Sequence, residues 1–130
     1  RKIKNIRKKK VTNLFKKNKK IFVELINGWK NDVIKINNKI RNNKSTFLFG
    51  AHIFSQMLVF NGLDQKSIIA VLDNDKEKQG EFLYGTNYKV YSPTILKKYK
   101  KPSVIIRAGE YNSEIKKDII EKINKNTKFI

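Results

Sequence analysis

The sequence predicts an α/β fold: a small Rossmann-like parallel sheet with helices on both faces, preceded by a long amphipathic helix. Three observations carry this reading. From Thr46 onward, short apolar runs alternate with helical or polar segments. The connections between those runs suit right-handed crossovers between parallel strands, which cover the sheet on both sides. Before them, Phe22, Leu25, Ile26, Trp29, Val33, Ile36 and Ile40 recur at steps of three and four, marking one face of a helix.

Taken in chain order, "RKIKNIRKKK" has too few apolar residues to pack and reads as a frayed or solvent-facing start. The long helix follows, with Lys30, Asp32, Lys35 and Lys39 largely off its apolar stripe. Gly28 weakens that helix by about 1 kcal/mol relative to alanine, which predicts either a close helix contact or a kink. "RNNKS" ends it. Thr46 to Phe49 is the first strand, Ile53 to Asn61 a helix stopped by Gly62, and Ser67 to Asp73 the second strand. A polar loop through Gly80 and Gly85 leads to the short strand "YKVYS". Pro93 starts the helix "PTILKKY", and "SVIIRA" is a further buried strand. Asn112 or Ser113 caps the helix through "SEIKKDIIEKIN", and "TKFI" forms the last strand. The division is a basic amino-terminal helical segment, 1–44, and a Rossmann-like α/β domain, 45–130.

Composition narrows the chemistry. A chain of 130 residues with 39% hydrophobic content buries one moderate core. The absence of cysteine excludes disulfides, thiolate metal sites and a cysteine nucleophile, and a single histidine excludes a histidine-rich metal site. No apolar run reaches the roughly 20 residues that cross a bilayer, and no apolar signal core follows the basic start, so a cytoplasmic location is expected. The first residue is Arg1 rather than methionine, which suggests part of a longer chain.

The formal charge of +19 is unevenly placed. Residues 1–44 hold sixteen Lys or Arg against Glu24 and Asp32, a net +14, leaving +5 for the rest. Such an arm attracts nucleic acid, anionic lipid or an acidic partner through salt-screened forces. A compositional origin competes with this, because Lys, Asn and Ile are abundant throughout. The arm is also expected to lack the exposed aromatics that single-strand binders use for stacking.

Ligands of parallel sheets bind beyond the carboxyl ends of the strands, where the strand order reverses. Three loops should meet there: Gly50, Ala51 and His52 after the first strand, Asp73 to Asp75 after the second, and Ala108, Gly109, Glu110, Tyr111 and Asn112 after a later one. Gly50 permits a tight turn, and the backbone N–H groups of residues 51–54 offer an anion the positive end of a helix. A dinucleotide turn would want glycine where His52 and Ser55 stand, which argues against ordinary NAD binding. His52 either bonds a phosphate or sugar or is a plain turn residue. Asp73 falls about 20 residues beyond the turn, where an acidic side chain holds ribose hydroxyls; its rival role is to cap the loop "DNDKEKQG". Asp73, Asp75, Glu77 and Glu81 lack calcium-loop spacing, so no metal is assigned. No catalytic residue is assigned either: Glu110 has only its place at the rim, and no nucleophile–base order, phosphate-cradling lysine loop or zinc signature is present.

Gly50-Ala51-His52, Asp73-Asn74-Asp75, Lys78-Gln79-Gly80, Gly85-Thr86 and Asn112-Ser113-Glu114-Ile115 follow one another in an order that resembles the carboxyl-terminal domain of SAM-dependent sugar-nucleotide C-methyltransferases. The resemblance runs from about Phe22 to the end. It departs at His52, where the family has serine after Gly-Ala, at Phe54 and Ser55, where a Lys-Gly-like pair is common, and at Tyr84, where proline precedes Gly-Thr. In that family the SAM fold, a zinc-binding region and the principal catalytic residues precede this part. The resemblance therefore implies an accessory, substrate-side domain that forms part of a nucleotide-sugar site for deoxysugar or surface-polysaccharide biosynthesis. No cofactor is expected on this segment, and SAM is implied for a preceding one. The alternative is a noncatalytic polyanion-binding or protein-interaction module that uses the basic arm.

Overall fold

The structure, a computed structural model, describes residues 2–130, with side chains from Asn13 onward. Helix α1 spans Lys2–Ile40. The solvent-facing start expected of residues 1–10 concerns side chains that lie outside the described set. At 1.5 Å per residue α1 is roughly 58 Å long, more than a small domain can cover. Among the described side chains of α1, packing is concentrated in the last third: Val33, Ile36 and Ile40 are buried and Trp29 is half-buried.

Strand β1 (Thr46–Phe49) leads to α2 (Ile53–Phe60) and then to β2 (Ile68–Leu72). Strands β3 (Val90–Tyr91), β4 (Ser103–Ile106) and β5 (Lys128–Phe129) complete one sheet in the order β3-β2-β1-β4-β5. Every pair is parallel, so the order reverses between β1 and β4. This is the expected Rossmann-like arrangement. Side chains alternate across it. Leu48, Val71 and Ile105 join the face covered by α1 and α2, whereas Phe47, Phe49, Val104 and Ile106 pack with Leu96 and Ile119 on the other. The β1–β2 register skips Ile69, whose side chain is 42% exposed at this irregularity.

The end of α2 follows the expected stop. Gly62 has φ +97, and the N–H groups of Gly62 and Leu63 donate to the carbonyls of Val59 and Leu58, closing the helix. Asn37 of α1 grips this corner, accepting from the Asp64 N–H at 2.8 Å and donating to the Gly62 carbonyl at 2.9 Å.

Several elements differ from the sequence reading. Pro93–Lys98 forms 3-10 turns rather than an α-helix. Ser92 caps a segment of only six residues, and the Asn124 amide takes the carbonyls of Leu96 and Tyr99, which a longer helix would use internally. Helix α3 (Asn112–Asp118) widens into a π turn over Ile119–Ile123, closed by the Asn124 N–H on the Ile119 carbonyl. Neither Asn112 nor Ser113 caps α3: Tyr111 holds that position with no side-chain bond. Strand β3 is two residues rather than five, because Lys89 bridges antiparallel to Phe82 and the Val90 N–H donates back to the Glu81 carbonyl. Gly28 makes no close contact: a Cβ there would meet nothing within 4 Å, and α1 continues through it.

Candidate functional site

The carboxyl ends of β1 and β2 are joined by Asp73. Its Oδ2 accepts the Ala51 N–H at 2.7 Å and its Oδ1 accepts the Asp75 N–H at 2.9 Å. Lys78 approaches the same carboxylate at 3.6 Å, and the Gln79 amide holds the Asp73 carbonyl at 2.9 Å. Asp73 is buried, and this network gives it the loop-capping role. It also supplies the Gly50 turn with an anion from the chain itself, because Ala51 carries one of the N–H groups expected to face a ligand.

Gly50 has φ +100, and its N–H donates to the Leu72 carbonyl at 2.7 Å. The His52 imidazole folds back over it, so that a Cβ on Gly50 would collide with the ring. Burial holds this imidazole below its ordinary pKa; Asp73 opposes that shift and Lys78 reinforces it. Nδ1 of His52 is buried with no hydrogen-bond partner. Ser55, where close packing wants glycine, is fully buried, and its hydroxyl donates to the Gly50 carbonyl. A pyrophosphate approaching this turn in the dinucleotide manner would meet the imidazole.

The third loop lies across the strand-order reversal. The Ala108 N–H donates to the Asn112 side-chain oxygen at 2.8 Å, which explains why Asn112 is not a helix cap. Gly109 has φ +60 and opens the 3-10 turn Gly109–Tyr111. Glu110 and Tyr111 point outward and are exposed. Gly109 and Asn112 line a cleft of about 220 Å³ together with Trp29, Phe54 and Arg107. An adjoining cleft of about 470 Å³ continues along α1 past Leu25, Gly28 and Asp32. The expected convergence is thus divided. Ala51 is hydrogen-bonded to Asp73 beside Gly50 and the His52 ring that covers it, while Gly109 and Asn112 face the cleft. An aromatic row connects the two, with Trp29 stacked on Phe54 at 6.0 Å and His52 edge-on to Phe54 at 5.6 Å.

Arg107 lines both clefts. Its Nη1 donates to the carbonyls of Ile106 at 2.8 Å and Ile130 at 3.1 Å, and its Nε lies 3.8 Å from the Asp32 carboxylate. The guanidinium is therefore fixed at the carboxyl end of β4. Trp29, Phe54 and Arg107 were not legible as site residues. Trp29 reads as part of the apolar stripe, Phe54 as helix interior and Arg107 as the tail of a strand; a basic residue closing an apolar strand at the rim was the available signal.

The family model described as C2185-like, N-terminal matches residues 42–130, the whole sheet and its connections. The chain belongs to this family. None of the curated proteins matches it. The match covers β1, α2, β4 and the Gly109 turn, and leaves Trp29 on α1 outside it.

Proposed function

We propose that this C2185-like domain is the accessory, substrate-side wall of a nucleotide-sugar site, within a SAM-dependent sugar-nucleotide C-methyltransferase of deoxysugar or surface-polysaccharide biosynthesis. The observation that carries the ligand class is the cleft at the strand-order reversal, which presents an aromatic pair, a fixed guanidinium and a side-chain amide. Trp29 offers a stacking face to a base. Arg107, with Nη1 spent on the Ile106 and Ile130 carbonyls and Nε beside Asp32, keeps its charge and the donors of Nη2 for a diphosphate. Asn112 keeps its NH₂ for a sugar or base, its oxygen being spent on Ala108. Asp73 reaches ribose only through lone pairs left over from its backbone bonds. The methyltransferase part rests on the motif order beginning at Gly50-Ala51-His52. The family description, an N-terminal domain, favours chain following this one, whereas the motif order favours a SAM-binding part before it; sequencing the reading frame on both sides decides between them.

Titration of the chain with dTDP- and UDP-sugars, SAM and NAD tests the ligand class. Saturable binding of a nucleotide-sugar, weakened at least about tenfold in Arg107→Ala through loss of a charge-assisted contact, supports it. NAD preference, or no saturable ligand, overturns it. The second reading, a noncatalytic polyanion-binding module, draws on the exposed lysines 16, 17, 19 and 20 of α1. It requires affinity for unrelated DNA sequences that is similar and falls steeply with salt.

A further inference from the structure

Every described residue from Asn13 to Leu25 is exposed, although this stretch carries large apolar side chains. Leu14, Phe15, Phe22 and Leu25 are 53% to 66% exposed. At about 100° per residue, they fall within roughly the same 100° arc as Trp29, Val33, Ile36 and Ile40. The apolar face that α1 buries against the sheet thus continues past the domain with nothing against it. Between Leu14 and Leu25 only Asn18 interrupts the arc. Lys16, Lys17 and Lys20 lie on the opposite side, and Lys19 at the margin.

We propose that this part of α1 lies on an anionic lipid surface, with Leu14, Phe15, Phe22 and Leu25 in the headgroup–acyl boundary and the lysines among the headgroups. Charge chooses this occupant. A second copy laid along the stripe would bring together two helices, each with Lys16, Lys17, Lys19 and Lys20 against Glu24 alone. That repulsion opposes the apolar gain. Duplex nucleic acid offers phosphates but no apolar layer; Phe15 and Phe22 are exposed, contrary to the sequence expectation, but single-stranded bases stacked on them would leave Leu14 and Leu25 uncovered. An anionic bilayer supplies both parts, and the long lysine stems reach its headgroups from the flanks of a helix lying in the interface. No described helix is long and apolar enough to cross a membrane, so the contact is peripheral.

Sedimentation with vesicles tests this. The 130-residue chain should bind 70:30 phosphatidylcholine:phosphatidylglycerol vesicles at least about tenfold better than pure phosphatidylcholine, because basic amphipathic helices need both attractions. A Phe15→Ser/Phe22→Ser/Leu25→Ser variant should lose about tenfold of that binding while keeping its melting temperature, since those side chains leave no core cavity. Should the variant not fold, Lys16→Glu/Lys17→Glu/Lys20→Glu, which spares the apolar stripe, must lose anionic-vesicle binding. No vesicle binding by the parent chain overturns the proposal. So does equal binding by the folded serine variant, which leaves charge alone. So does a dimer seen by ultracentrifugation that the serine variant abolishes, or duplex DNA bound more tightly than vesicles at equal charge.

Discussion

Asp73 holds the carboxyl ends of β1 and β2 together through the Ala51 N–H and braces its own loop through the Asp75 N–H. Replacing it with alanine leaves the Ala51 donor without its carboxylate and should cost about 1–3 kcal/mol in urea unfolding. Asp75→Ala should cost much less, because the carboxylate of Asp75 serves an exposed turn, accepting the Glu77 N–H at 3.0 Å. Equal losses would remove Asp73 from its anchoring role. His52 predicts a pH dependence of defined sign. Its folded pKa lies below the unfolded value, so the unfolded chain takes up the proton first on acidification. The stability it contributes is present above about pH 6.5, the model-peptide value, and is lost as pH falls through the depressed pKa. His52→Gln should flatten the stability profile across that window, and an unchanged slope would contradict the assignment. The sequence placed Asp73 at a strand end and His52 at the turn. It did not reveal that Ala51 and Asp73 bond across 22 positions, or that Ser55 pins the Gly50 carbonyl, because residue type specifies bonding capacity and only the fold supplies the partner.

Each element's burial sets what a substitution in it costs. Val33→Ala and Ile36→Ala empty space between α1 and the sheet and should destabilise by about 1–4 kcal/mol, whereas Phe22→Ser should stay within about 0.5 kcal/mol. Comparable losses at the two ends of α1 would mean that the helix is packed along its length. Gly28→Ala should raise stability by about 1 kcal/mol through helix propensity, as its Cβ would meet open space. It would also narrow the larger cleft that Gly28 lines, so ligand affinity should fall as thermal stability rises. Strands β1, β2 and β4 were legible as continuous apolar runs, and α2 by its Gly62 stop. The 3-10 turns at Pro93, the π turn after α3 and the short β3 were not. The first and last are decided by partners outside the segment, the Asn124 amide on Leu96 and Tyr99 and Phe82 across from Lys89, and the π turn by a single local bond from the Asn124 N–H to the Ile119 carbonyl. The periodicity that places Trp29 on the α1 stripe does not say where the sheet's cover ends, and that boundary makes Trp29 a cleft wall.

In the whole molecule a Rossmann-like sheet, whose cleft opens at the strand-order reversal, is joined to a basic helix that runs past it. An accessory role predicts no methyl transfer by these 130 residues alone. Turnover of SAM by the pure chain would contradict it. Trp29 is the single tryptophan of the sequence, and it stands in the wall of the proposed site, so the intact protein carries its own reporter. The most direct measurement is the Trp29 emission during titration with dTDP- and UDP-sugars, with SAM and NAD alongside. Nucleotide-sugar should change that emission saturably, with Arg107→Ala shifting the midpoint at least about tenfold and SAM and NAD leaving it flat, as loss of a charged contact to a diphosphate requires. Emission that stays unchanged through the nucleotide-sugar series, or that saturates with NAD instead, would contradict a nucleotide-sugar cleft between α1 and β4.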